Sequence, residues 1–126
     1  MKTEMYVYFE ISNFKEDPKY LTKLIGVRAT EVKMVGDAVG KSKLKSKFNS
    51  WQYRVDAKEN FELEILVKKV LAKFRDVRGL KKAIKLGEAA IVCVLYSSDN
   101  KPSITLSKDT LKRIANLNCS FWLDYY

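Results

Sequence analysis

The run Asn60–Phe74, NFELEILVKKVLAKF, constrains the fold more than any other stretch, because its apolar residues recur at a helical period. Leu63, Leu66, Val67, Val70, Leu71, Phe74 and Val77 form one stripe, while Glu64, Lys68, Lys69, Lys73 and Arg75 fall on the other faces. One side of this helix therefore has to be buried. Asn60 is a suitable N-cap, Glu62 and Glu64 put negative charge at the positive helix end, and Lys73, Arg75 and Arg78 do the converse at the other end.

The rest of the chain reads as strands and shorter helices that give this stripe a surface. Met5–Ile11 alternates, with Met5, Val7, Phe9 and Ile11 on one face and Tyr6, Tyr8 and Glu10 on the other. Asp17 caps a short helix that has Pro18 at its first position, Leu21, Leu24 and Ile25 on its buried side, and Gly26 at its end. Thr30–Val35 is a strand with Val32 and Met34 inward, and the Gly- and Lys-rich stretch Gly36–Asn49 is a connection. Ser50–Val55 is the next strand, with Trp51, Tyr53 and Val55 on one face and Gln52 and Arg54 on the other.

After the long helix, the basic segment Val77–Leu86 adds a further helical turn or two before Gly87. Ala89–Tyr96 is apolar throughout, which predicts a strand covered on both faces or central in the sheet. Turn residues at Ser97–Pro102 lead to Ser103–Leu106, expected to close an antiparallel hairpin. Ser107 caps a third helix with Leu111, Ile114 and Leu117 buried. In the closing strand Phe121, Leu123 and Tyr125 alternate with Trp122, Asp124 and Tyr126.

The order βαββαββαβ is α+β, with a single, mainly antiparallel sheet of about six strands and helices on one face. At 126 residues and 47% hydrophobic composition, residues 1–126 suit one domain with one core. An internal echo relates Asp17, Leu21 and Leu24 to Ser107, Leu111 and Ile114; a duplicated unit and two helices obeying the same capping rules both account for it.

Asp17-Pro18 opening a helix with Leu21 and Leu24, then Gly26, Thr30, Gly36, Trp51, the long helix, Leu106-Ser107 before Leu111 and Ala115, and the closing Leu123-x-Tyr125 form a pattern over nearly the whole chain. It resembles an uncharacterised bacterial and phage family of small single-domain proteins. The chain departs from that pattern at Ala29, where the family leads one to expect proline before Thr30. The resemblance implies a fold and transfers no functional residue.

The chain contains no histidine, which removes the commonest general base, the usual partner of a nucleophilic serine or cysteine, and most zinc sites. Carboxylates Glu10, Glu31, Asp99 and Asp124 are scattered, so no catalytic residue, cofactor or metal site is expected. Cys93 and Cys119 lie in apolar runs and read as buried, reduced thiols of a cytoplasmic protein. No stretch approaches the roughly 18 apolar residues of a membrane span. Gly36–Ser42 approximates a phosphate-binding loop but is one residue short between its glycines and lacks the following helix, so it reads as a connection.

Two features point to binding. Lys41, Lys43, Lys45 and Lys47, with a second zone through Lys68, Lys69, Lys73, Arg75, Arg78, Lys81, Lys82 and Lys85, hold half of the 24 Lys and Arg residues in a chain of net charge +9. Such zones suit phosphates or an acidic protein, and equally suit a solvated surface. Tyr6, Tyr8, Trp122 and Tyr126, joined by Arg54, turn away from the helices onto one sheet face, the residue types enriched at protein interfaces and also able to stack bases. The expected function is a non-enzymatic cytoplasmic protein that engages another protein or itself, as an inhibitor, immunity-type factor or regulatory module. The alternative is a nucleic-acid binder using the basic zones.

Overall fold

Strand β1 (Glu4–Ser12) is the middle of the sheet, and its alternation decides which side the helices cover. Met5, Val7, Phe9 and Ile11 are buried, whereas Tyr6, Tyr8 and Glu10 on the opposite face are half-buried. The computed structural model describes residues 3–38, 44–59, 62–97 and 104–126. After β1 come α1 (Pro18–Ile25), β2 (Glu31–Lys33), β3 (Ser50–Asp56), α2 (Leu63–Lys73), α3 (Val77–Ile84), β4 (Glu88–Tyr96), α4 (Lys108–Asn116) and β5 (Ser120–Tyr125). The strands lie in the order β2-β3-β1-β4-β5. The pairings β1–β3, β1–β4 and β2–β3 are antiparallel, and β4–β5 is parallel.

All the helices contribute to one core on the inner face of the sheet. Phe74, just past the end of α2, packs edge-on against Phe9 at 5.0 Å between ring centroids and against Tyr53 at 5.9 Å, and Phe9 meets Trp51 at 6.3 Å. Burying each such ring contributes about 1.5–3 kcal/mol, and favourable ring pairs add about 0.5–1.5. Trp51 also donates its indole N–H to Thr22 Oγ1 at 3.0 Å, which ties β3 to α1. The first short helix follows its sequence signals: Asp17 accepts from the Lys19 amide, and Gly26 ends the helix at φ 76°.

The structure departs from the sequence reading in four places. First, the long stripe is two helices. Phe74 leaves the helical conformation, Asp76 accepts from the Gly79 amide at 2.8 Å, and this cap starts α3 in a new direction. Val77 then falls off the stripe and is exposed, while Leu80, Ala83 and Ile84 enter the core. The expected cap Asn60 lies outside the described residues; Glu62 occupies the position before α2 without a side-chain capping bond.

Second, the sheet has five strands among the described residues rather than about six. Ser103 lies outside them, and 104–106 forms no strand; Ile104 and Leu106 pack on the core instead. Their place beside β4 is taken by β5, which arrives parallel after the α4 crossover. Third, α4 buries Thr110 and Ile114, leaving Leu111 exposed. The Glu64 carboxylate accepts from the Ser107 amide at 2.6 Å, and Thr110 Oγ1 is within 3.2 Å of Ser107 Oγ, so this polar junction sets which side of α4 turns inward. Fourth, β2 is shorter than the expected Thr30–Val35.

Candidate functional site

Because the helices cover only the inner face, the even-numbered residues of β1 and β4 present the outer face unaccompanied. Strand register sorts that face into rows. Arg54, Tyr8, Val92 and Trp122 lie across β3, β1, β4 and β5, and Asp56, Tyr6, Val94 and Asp124 form the next row. Gln52, Glu10, Ala90 and Ser120 form a third.

Val92 is only 1% exposed although, among the described residues, no helix packs on it. Tyr6, Tyr8 and Tyr96 pack against Ala90, Val92 and Val94 and form a second, thin apolar cluster. Tyr6 and Tyr8 stack at 6.2 Å, and Tyr96 and Tyr126 stack at 4.8 Å with their planes 15° apart. The Arg54 guanidinium sits 3.5 Å from the centre of the Tyr6 ring and is held by Asp56 through bonds of 2.6 and 3.1 Å. That Asp56 hydrogen bond raises the Arg54 pKa, so the cation is permanent and locally balanced. Trp122 and Tyr126, at 57% and 63% exposure, are the prominent rings.

Burial pushes the Tyr6 and Tyr8 hydroxyls up, with Arg54 opposing the shift at Tyr6 and Glu10 reinforcing it at Tyr8. Both therefore stay neutral near pH 7 and present an apolar ring with a hydrogen-bonding tip. Burial likewise raises Glu10, against the lowering effect of its 2.6 Å hydrogen bond from Gln52 and of Lys33. Glu10 borders two hollows at this end of the face. One, of about 420 Å³, includes Ser12, Glu88, Ser120 and Trp122, and the other, of about 410 Å³, includes Lys33, Lys45, Lys47, Phe48 and Gln52. Among the described residues no group of three or more His, Cys, Asp or Glu is arranged to hold a metal ion.

Tyr6, Tyr8, Arg54 and Trp122 thus share the outer face, and Tyr126 joins it by stacking on Tyr96. The basic residues are not brought together. Lys45 and Lys47 lie beside the outer-face hollow, whereas Lys69 and Lys73 on α2, with Lys81 and Lys82 on α3, are exposed on the helical layer. Lys41 and Lys43 lie outside the described residues. Sequence reasoning missed Tyr96, because the unbroken apolar run of β4 hides its alternation until it is registered against β1. Phe48 was equally hidden, lying in a connection without a periodic pattern.

The fold and this surface define an α+β protein whose mixed sheet carries helices on one side and an aromatic face on the other. The family model described as "Domain of unknown function (DUF4279)" matches residues 3–126, and the chain belongs to that family. No curated protein and no solved structure matches it.

Proposed function

We propose that this chain is a non-enzymatic binding module that engages another protein through its outer sheet face, acting in the cytoplasm as an inhibitor, immunity-type or regulatory factor. The observation that carries this reading is the uncovered cluster of Tyr6, Tyr8, Tyr96, Tyr126 and Trp122 with Arg54 among them. Tyr, Trp and Arg are the residue types enriched among interface anchors. Rings already stacked on strands lose little further entropy when a partner covers them. Around the aromatic cluster Glu10, Asp56 and Asp124 offset Arg54, and Lys33, Lys45 and Lys47 lie at the hollow beyond Glu10, so the cluster itself suits a mixed polar and aromatic protein contact better than a phosphate backbone.

A nucleic-acid reading rests on the loop lysines Lys45 and Lys47 beside the outer-face hollow and on the exposed Lys69, Lys73, Lys81 and Lys82 of the helical layer. The two readings separate by mutation. A partner recovered with the tagged chain from native lysate, once purified, is titrated against the parent, Tyr8→Ala, Trp122→Ala and the fourfold Lys→Ser variant of those helices. Each aromatic change is expected to cost more than about 1 kcal/mol, the usual threshold for an anchor, and the lysine variant to bind like the parent. Unchanged binding by both aromatic variants would refute the reading.

A further inference from the structure

The two edges of the sheet are built differently. β2 is three residues long, and its exposed Glu31 forms an ion pair at 3.5 Å with the half-buried Lys33, features that discourage strand pairing. β5 is longer and has no Pro or Lys, with Trp122 57% and Leu123 43% exposed. Its hydrogen-bonding parity follows from Tyr126, whose N–H donates to Leu95 O at 2.8 Å and whose carbonyl accepts from Ser97 N–H at 3.1 Å. Both backbone groups of a strand residue point the same way and alternate along the chain, so Trp122 and Asp124 also face β4. The N–H and C=O groups of Phe121 and Leu123 point away from the sheet.

We infer that β5 pairs antiparallel with β5 of a second copy of this chain, across a twofold axis through Trp122, so that one sheet runs through both protomers. Charge favours a copy as the occupant. The chain carries +9, yet Ser120–Tyr126 contains no Lys or Arg and only Asp124, so two copies meet here with little repulsion. The strand is also self-complementary in this register. Phe121 of each copy exchanges both backbone hydrogen bonds with Leu123 of the other, the two Trp122 rings meet at the axis, and Ser120 faces Asp124, whose carboxylate can accept from its hydroxyl. An axis through Asp124 would instead oppose two carboxylates. The inference stands on the backbone of the edge and not on what the outer face binds, although Trp122 belongs to both surfaces.

Sedimentation of the full chain over a concentration series tests it. The parent is expected to dimerise. Leu123→Pro removes an outward N–H while leaving the β4 ladder intact, and should stay folded by circular dichroism while weakening the dimer more than about tenfold. Trp122→Lys, which opposes like charges at the axis, should weaken it similarly and serves if the proline variant fails to fold. Trp122→Cys should give a covalent dimer on mild oxidation and Asp124→Cys should not. Tyr8→Ala, away from the edge, should leave dimerisation unchanged, so loss of the outer-face function and loss of the dimer are read separately. A parent monomeric at its highest soluble concentration, or a folded Leu123→Pro variant that dimerises like the parent, overturns the inference; cross-linking through Asp124→Cys overturns the register.

Discussion

Replacing Gly79 with alanine probes the contact that lets α3 dock on α1. A Cβ at Gly79 would land on the carbonyl oxygen of Leu24, with Asp76 Oδ2 at 2.8 Å and the Leu24 carbonyl carbon at 3.0 Å. The main obstacle is backbone, so no side chain can swing aside; either α3 moves or the last turn of α1 does, dragging the buried Ile25 with it. Overpacking of this kind costs about 1–3 kcal/mol, and contact with a main-chain carbonyl argues for the upper end. Alanine recovers up to about 1 kcal/mol of helix propensity, leaving a net loss of about 2 kcal/mol. For a domain of this size that lowers Tm by about 8 °C. Calorimetry of the parent and Gly79→Ala measures it. A variant that melts at or above the parent would show that propensity outweighs packing and that the helices do not approach as described.

Two further outcomes follow from titrating groups. Burial raises the Cys93 thiol to about 11 and the Cys119 thiol to about 12, so both should label slowly with a thiol reagent in the native protein and rapidly after denaturation; fast native labelling at both contradicts this. The hydrogen bonds of Glu64 to Ser107 and Thr110 hold its carboxyl at about 2, below its unfolded value of 4.5. A depressed folded value means the contribution is complete above about pH 4.5 and is lost as pH falls towards 2, so Glu64→Gln should flatten acid unfolding in that window. An identical pH profile for parent and variant would remove Glu64 from the junction between α2 and α4.

Much of the fold was legible because single elements carry their own phase. The alternation of β1 separates Val7 and Phe9 from Tyr6 and Tyr8, and Asp17, Pro18 and Gly26 delimit α1 by local chemistry. The failures arise where a tertiary contact chose between two locally acceptable states. The stripe through Phe74 and Val77 continues in sequence, yet Asp76 capping Gly79 redirects the chain. Ile104 and Leu106 have strand-like residues, yet the edge of β4 is used by β5, and the Ser107 amide is taken by Glu64 from a distant helix. The aromatic grouping, and the place of Glu10 beside it, were readable from the alternation of β1, whereas Tyr96 needed the register of β4 against that strand. Net charge said nothing of where lysines lie, and only the chain path separates Lys45 and Lys47 from Lys81 and Lys82.

The salt dependence of binding tests most directly the proposal that the outer face recognises protein. Affinity for the purified partner is measured by titration at a low and a physiological salt concentration, in parallel with a duplex DNA and a single-stranded RNA. Counterion release gives duplex binding a log-log slope of about −0.9 per phosphate neutralised, whereas an aromatic contact with balanced charge varies little. A protein partner is expected to give a shallow slope and an affinity lost in Tyr8→Ala and Trp122→Ala, with only weak, salt-labile binding to either nucleic acid. Submicromolar nucleic-acid binding at physiological salt that disappears when Lys69, Lys73, Lys81 and Lys82 are changed to serine, and persists in the aromatic variants, would contradict the proposal.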